Sequence, residues 1–340
     1  MKRLIKNILI SVAAALGMAA LGRWLNRRRL AILMYHGLID DDRPSEWTQL
    51  AVNEFEEQIR HLARHYTPVT LEQAVDYVSG NCDPGRNPVV VTFDDGYRSN
   101  YELGLPILQK YNVPATVFIT TSLLGDSVQP PRTLWFDRVY GVASSLPAGE
   151  IDLTSLGLAR YRVSGAEDRI AMVEVICEHL KGFASDERSR TIDKLSAMFP
   201  ATGPTGRRYV GADWDHVRQH QASITPAAHT VNHEILSRLP EDQARQEILQ
   251  SKQAIEHETD SQVTFFAYPN GRREDFTDET KRLVAEAGFR AALTTIEGLN
   301  EVGDDLFELK RLGIGSNATP KWFHLKVAGV LDFWSNKGAK

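Results

Sequence analysis

The stretch Val89-Val90-Val91-Thr92-Phe93-Asp94-Asp95-Gly96-Tyr97 runs an apolar, β-branched segment straight into two adjacent carboxylates and a glycine. Its first half has the composition of a buried strand. Two side-by-side carboxylates repel unless a cation or a shared proton relieves them, so the end of this strand asks for a partner. A plain turn cap uses the same residue types. The partners that separate the two readings lie elsewhere in the chain.

Upstream, Leu30-Ala31-Ile32-Leu33-Met34-Tyr35-His36-Gly37 is a second apolar run ending in a polar residue and a glycine. A helix is expected from about Asn53, its cap, with Phe55, Ile59 and Leu62 at helical spacing, and another over Leu71 to Val78. Downstream, a helix near Tyr101 to Tyr111 leads into a strand over Val113 to Ile119. The alternation breaks between about Gly125 and Gln221, where Pro130-Pro131 opens a stretch with helical pieces such as Ile170 to Phe183 and a loop over Pro200 to Arg208. It resumes with a strand over Ser223 to His229, a polar helix from Glu241 to Glu258, and a strand over Val263 to Pro269. A helix over Thr277 to Ala287 and strands over Ala291 to Thr295 and Leu309 to Ile314 complete it. About seven strands alternating with helices suit an α/β, (β/α) barrel-like domain with one inserted segment.

The 340 residues are 42% hydrophobic and 24% charged, ordinary for a globular chain. With 39 basic and 44 acidic residues the net charge is -5, and no nucleic-acid motif is present, so nucleic acid is not expected as a partner. Cys82 and Cys177 form no disulfide framework or zinc ribbon, although one disulfide stays open.

The strands end alike, at His36-Gly37, Asp94-Asp95-Gly96, His229 with His233, and Asn270-Gly271. Ligand sites of parallel α/β folds lie at the carboxyl ends of the strands, so these residues should converge. His229 and His233 share a face if the chain turns helically after its strand, and neutral imidazoles are common zinc ligands. With one carboxylate of the aspartate pair they make three protein ligands, which leaves a position open for water. The other carboxylate is then free to act as a general base on a water whose pKa the cation lowers. That is the layout of a hydrolase.

Four motifs carry a resemblance to the polysaccharide deacetylase family, also called the NodB-homology or carbohydrate esterase family 4. They are Thr92-Phe93-Asp94-Asp95-Gly96-Tyr97, His229-Thr230-Val231-Asn232-His233, Phe266-Ala267-Tyr268-Pro269-Asn270-Gly271 and Lys310-Arg311-Leu312-Gly313-Ile314. The resemblance covers about residues 30 to 315. It implies a distorted (β/α) barrel, a divalent cation, usually Zn2+, and hydrolysis of N-acetyl groups on amino sugars. It also implies Asp94 as the general base, with Asp95, His229 and His233 holding the metal.

The chain departs from the family pattern in three places. Ala267 stands where an arginine usually orients the base, and Arg311 is the candidate substitute, against a merely structural or surface role. Asn270 stands where a tyrosine lends its backbone N–H to the oxyanion. No late Leu-x-His motif follows Ile314, and His36 instead resembles the early histidine of the poly-N-acetylglucosamine deacetylase branch, where it implies the general acid.

Within the insertion, Trp135 of Leu134-Trp135-Phe136-Asp137-Arg138 is either a sugar-stacking residue or part of a small helical core, and Asp213 reads as a helix cap. His61, His65, His179, His216, His220, His257 and His324 have no partner in spacing and read as solvated or structural. At the N-terminus, 16 uncharged residues from Asn7 to Gly22 lie between Lys2, Arg3 and Lys6 and the group Arg23, Trp24, Arg27, Arg28 and Arg29. Residues 1–29 are therefore a signal-anchor or a signal segment, with a retained anchor preferred to cleavage near Ala20-Leu21-Gly22. Residues 30–335 form the deacetylase domain with an insertion at about 125–220.

The resulting expectation is a metal-dependent, membrane-anchored or exported hydrolase with its catalytic domain on the extracytoplasmic side. It would remove N-acetyl groups from an N-acetylglucosamine-type glycan. A deacylase or deformylase of a lipid-linked amino sugar, and a non-catalytic glycan-binding protein on the same fold, are the alternatives.

Overall fold

Seven parallel strands close on themselves in sequence order. They are β1 (Ala31–Tyr35), β2 (Pro88–Phe93), β3 (Ala115–Ile119), β4 (Ile224–Ala228), β5 (Phe265–Ala267), β6 (Ala291–Glu297) and β7 (Leu309–Gly313). β7 pairs back onto β1 through Leu33 with Leu312, which shuts the barrel expected from the sequence. The computed structural model describes residues 2–41, 47–125, 132–143, 145–200, 208–316 and 318–331. Pro130-Pro131, most of the loop read over 200–208, and the domain end at 335 lie outside them.

Helices fill the connections: α1 (Lys2–Ala15), α2 (Met18–Leu25), α3 (Val52–His65), α4 (Leu71–Val78), α5 (Leu105–Tyr111), α6 (Trp135–Ala143), α7 (Ala166–Leu180), α8 (Ser185–Met198), α9 (Trp214–His220), α10 (Glu241–Thr259), α11 (Asp278–Glu286) and α12 (Pro320–Val327). Phe55, Ile59 and Leu62 are all buried on α3, as their spacing requires. Asn53 is not the cap, because the helix starts one residue earlier, at Val52, and Ala51 precedes it. Cys82 and Cys177 are both free thiols, one exposed and one buried.

The period of two along each strand splits the apolar residues between two cores. Leu30, Ile32, Val90, Phe118, Ala227 and Leu309 meet in one cluster with residues from every other strand of the ring, so this is the barrel lumen, and Leu71, Ala74 and Val75 of α4 plug one end of it. Their neighbours Leu33, Val91, Val117, Phe266 and Leu312 face outward under the helices. The alternation decides where chemistry can sit. Asp94 follows Val90 and Thr92, His36 follows Ile32 and Met34, His229 follows Ala227, and Arg311 follows Leu309, so all four fall on the lumen side near the carboxyl ends of their strands.

The insertion has its own core, in which Val139 of α6, Ile176 and Leu180 of α7 and Ile192 and Leu195 of α8 pack with Ile151. Ile151 belongs to an antiparallel hairpin of Gly149–Asp152 and Arg160–Val163, so the insertion is not purely helical. Two buried links fasten it to the barrel. Tyr97 Oη donates to Asp137 Oδ2 at 2.8 Å, and Arg188 pairs with Glu234 at 2.6 Å.

Candidate active site at the barrel mouth

Asp94 is 2% exposed, and Arg311, fully buried, holds both of its carboxylate oxygens, at 2.7 and 2.8 Å. The same guanidinium fixes its own plane by donating Nε–H to the Thr294 carbonyl at 2.7 Å. Burial alone would raise the Asp94 pKa, but the Arg311 charge and hydrogen bonds, helped by His229 and His36, outweigh it and bring it down to about 2. Asp94 is therefore a carboxylate at any physiological pH. Arg311 has no surface role, because the parity of β7 turns it inward under Phe118, whose ring lies 5.6 Å from the guanidinium.

Asp95 differs in every respect. Its backbone is left-handed, φ 75°, and Gly96 continues the turn at φ 92°. The turn leaves the Asp95 side chain wholly buried, with neither oxygen hydrogen-bonded. Burial first, and the Asp94 charge second, push its pKa well above the ordinary carboxylate range. An orphaned buried carboxylate costs free energy unless a cation compensates it.

The compensating geometry is present. His229 Nε2 and His233 Nε2 approach Asp95 Oδ1 at 3.8 and 3.4 Å. His229 Nδ1 lies 2.7 Å from the Ala267 carbonyl, which can only accept, so Nδ1 carries the proton and Nε2 keeps its lone pair for the site. Burial lowers the pKa of both histidines, and His233 is lowered further by His229, which keeps both neutral. The ligand atoms of Asp95, His229 and His233 lie within 4.8 Å of one another, and all three residues are buried. One hard and two borderline donors, three protein ligands that leave a fourth position for water, suit a divalent cation such as zinc.

The histidine pair does not stand on a helix. The chain is irregular from 229 to 235, with Thr230 at φ 64° and His233 at φ 57°. A β-branched residue in the left-handed region is strained, and such outliers persist where the surroundings enforce them. Glu247 of α10 supplies the enforcement by accepting from the backbone N–H groups of Val231 and Asn232 at 2.9 and 2.8 Å. The sequence gives no signal for Glu247, which is one acidic residue on a polar helix.

His36 lines the same cavity, about 550 Å³ in volume, as Asp94, Asp95, His229, His233 and Asn270. Its ring lies 5.0 Å from that of Trp47, and its Nδ1 is buried without a partner. Burial, partly offset by Asp94 and reinforced by Arg311 and His229, lowers its pKa to about 4. Asn270 and Gly271 are consecutive left-handed residues, φ 58° and 63°, and a Cβ on Gly271 would come within 2.9 Å of the Thr295 nitrogen. Thr295 Oγ1 donates to the Asn270 carbonyl at 2.6 Å, which pins the turn at the cavity edge.

The insertion builds one wall of this cavity. Trp135, Phe136 and Tyr140 come from α6, and Cys177, Glu178 and Lys181 from the end of α7 and just beyond. Phe136 meets His233 edge-on at 5.3 Å, and the Arg188 guanidinium covers Trp135 at 4.9 Å. Trp135 thus packs beside the insertion core and lines the site as well. Asp213 precedes α9 as its cap.

Three histidines without an obvious partner in the sequence do meet. His61 stacks on His324 at 3.7 Å and lies 4.7 Å from His65. Burial, then His324, His65 and Arg23, lower the His61 pKa to about 3.

The polysaccharide deacetylase family model matches residues 81–137 and 194–292, and its gap falls within the insertion. Poly-beta-1,6-N-acetyl-D-glucosamine N-deacetylase of Staphylococcus aureus is 39% identical over 75 residues, 22% of this chain and 26% of that protein. The Bacillus subtilis protein YxkH is 22% identical over 287 residues, 84% of this chain and 71% of its own length. Among solved structures, the Streptococcus pyogenes deacetylase PplD, in complex with acetate, superposes with a TM-score of 0.59 at 18% identity, covering 88% of this chain and 99% of PplD. IcaB from Ammonifex degensii gives 0.56 at 18% identity, covering 87% and 97%. These two likenesses establish the fold.

Proposed function

The chain belongs to the polysaccharide deacetylase family, and from that premise we propose that it is a metal-dependent hydrolase that removes N-acetyl groups from an N-acetylglucosamine-type glycan. The observation that carries the reading is the division of labour in the aspartate pair. Asp94 is locked as a carboxylate by Arg311, while its neighbour Asp95 is left unpaired against two neutral imidazoles.

Asp95, His229 and His233 would hold the cation, Zn2+ by the mixed oxygen and nitrogen donors. Such a cation supplies Lewis-acid chemistry, polarising the acetyl carbonyl and lowering the pKa of a water in the open position. Asp94 would be the general base, and Arg311, holding both of its oxygens, fixes the plane of the carboxylate. A carboxylate of pKa about 2 is weakly basic and takes a proton only from a water already made acidic, so base and cation are needed together. The backbone N–H of Asn270, at the edge of the cavity, is the candidate donor to the oxyanion. His36 is the general acid. Its pKa of about 4 leaves it neutral in the resting site, so it would first take up the proton that the attacking water releases to Asp94 and, as an imidazolium, would then be a strong donor to the departing nitrogen.

We assign residues 1–29 to the anchor and 30–335 to the deacetylase domain with its insertion at about 125–220. A membrane-held enzyme with its catalytic domain on the extracytoplasmic side would meet the glycan there. The apolar faces of α1 and α2 also favour a second substrate reading, an acylated or formylated amino sugar on a lipid carrier, processed by the same residues. Acetate release from N-acetylglucosamine oligomers and from a lipid-linked acetamido sugar, with and without chelator, separates the two. No release from either overturns both.

A further inference from the structure

We propose that α1 and α2 lie in the plane of an anionic phospholipid surface, as a bent amphipathic pair clamped to the barrel, instead of crossing the bilayer. The inference rests on the reading that the N-terminal segment attaches the protein to a membrane, and it specifies the partner and the mode.

One face of the pair is already used. Ile10 and Ala13 of α1 are buried in a cluster with Leu325 of α12 and with Ala328 and Val330 just after it. On α2, Gly22 is packed so tightly that a Cβ there would come within 2.6 Å of Val330 Cγ2 and 2.8 Å of the Ala328 carbonyl. Asn26 Nδ2 donates to that carbonyl at 2.9 Å. Cleavage within Ala20-Leu21-Gly22 would cut through this seat. A spanning helix would have to leave it.

The opposite face is apolar and uncovered. Ile8, Leu9 and Val12 on α1 and Leu16 just after it are 53%, 49%, 51% and 74% exposed, and on α2, Leu21, Trp24 and Leu25 are 46%, 61% and 58% exposed. The spacing 8, 12 and 21, 24, 25 puts each set on one side of its helix. Among the described residues these are seven of eleven exposed large hydrophobic side chains, too concentrated to be scattered surface contacts. Arg27 and Arg28 follow the α2 face, and Arg27 stands 5.3 Å over the Trp24 ring, whereas Arg23 turns back over the Tyr66 ring at 6.0 Å. Apolar residues and tryptophan bordered by arginines are the composition of a helix seated at an anionic interface.

The geometry opposes a crossing. Gly17, at φ 70°, turns the chain, and the two helices are bent by 70°. The 14 residues of α1 reach about 21 Å at 1.5 Å per residue, short of a hydrocarbon core of about 30 Å. No single helix among the described residues is long and apolar enough to cross, and the α1–α2 pair has the length and composition only when taken together across its 70° bend.

The test adds the purified full-length chain, bearing an N-terminal tag with a protease site, to preformed sealed vesicles of phosphatidylcholine and phosphatidylglycerol at 7:3. The chain should sediment with these vesicles and the tag should stay cleavable from outside. The double variant Leu16→Glu, Trp24→Glu should bind at least tenfold more weakly, and Arg27→Glu, Arg28→Glu should lose binding to the anionic vesicles selectively. Both variants should keep wild-type turnover of a soluble substrate, which shows that they fold. A tag protected from protease on vesicle-bound protein overturns the in-plane mode and leaves membrane attachment standing. Absence of sedimentation overturns both. Self-association without vesicles that the first double variant abolishes assigns the face to a second copy of the chain and overturns the lipid partner.

Discussion

Arg311 and Asp94, 217 residues apart in the chain, form a two-pronged ion pair at 2.7 and 2.8 Å inside the mouth of the barrel. A lysine at 311 keeps the charge but not the fork. Arg311→Lys should fold, bind metal and lose about ten- to a hundredfold in kcat, whereas Arg311→Met, which strands a buried carboxylate, should cost about 3–5 kcal/mol of stability. Urea unfolding beside steady-state kinetics separates them, and equal kinetics for Arg311→Lys and wild type would remove Arg311 from the mechanism.

Asp95 carries the opposite stress, since its buried Oδ1 faces the neutral imidazoles of His229 and His233 and its charge is disfavoured by burial and by Asp94. Asp95→Asn removes a charge that burial and Asp94 disfavour. Metal-free Asp95→Asn should therefore melt above metal-free wild type, while added Zn2+ should raise the Tm of wild type only. Elemental analysis after dialysis should find no stoichiometric metal in Asp95→Ala, His229→Ala or His233→Ala, and any of the three that keeps it does not ligate the cation.

His36 should matter in proportion to how badly the leaving group needs a proton. An amine anion cannot leave unprotonated, and a phenolate can. His36→Ala should lose about 10²- to 10⁴-fold on the amide and far less on an aryl acetate ester. Equal losses on both, with metal and fold intact, would send the search for the acid to the insertion wall.

The His61 and His324 stack makes stability pH-dependent away from the catalytic site. The folded pKa of His61, about 3, lies below its unfolded value near 6.5, so between those values the unfolded chain binds more protons. This contribution is complete above about pH 6.5 and is lost as the pH falls toward 3. His61→Phe removes that titration while the other buried histidines keep theirs. Its Tm should fall less than that of wild type between pH 7 and pH 5, and parallel falls would show that His61 is not titrating.

Much of this was legible because it rests on local pattern. The period of two from Ile32 to His36 and from Val90 to Asp94 places a polar residue at the same end of adjacent strands, and the barrel closes at the expected count. What could not be read depends on contacts distant in sequence or on backbone turns. The left-handed Thr230 and His233 replace the helical turn expected of an i, i+4 pair, because Glu247 holds their loop. The Tyr97 to Asp137 bond spans 40 residues, His61 meets His324 across the barrel's N- and C-terminal helices, and the pairing of Arg311 with Asp94 spans 217.

The central claim is that cation and Asp94 act as one device, and a single preparation tests it. Metal content and acetate release from an N-acetylglucosamine oligomer are measured on wild type and Asp94→Asn, before and after chelation and Zn2+ addition. The expected result is one divalent cation per chain in both proteins, wild-type turnover lost on chelation and restored by Zn2+, and Asp94→Asn lower by about 10²- to 10⁴-fold with its metal in place. Turnover by Asp94→Asn within a few fold of wild type, or wild-type turnover that survives complete metal removal, would contradict it.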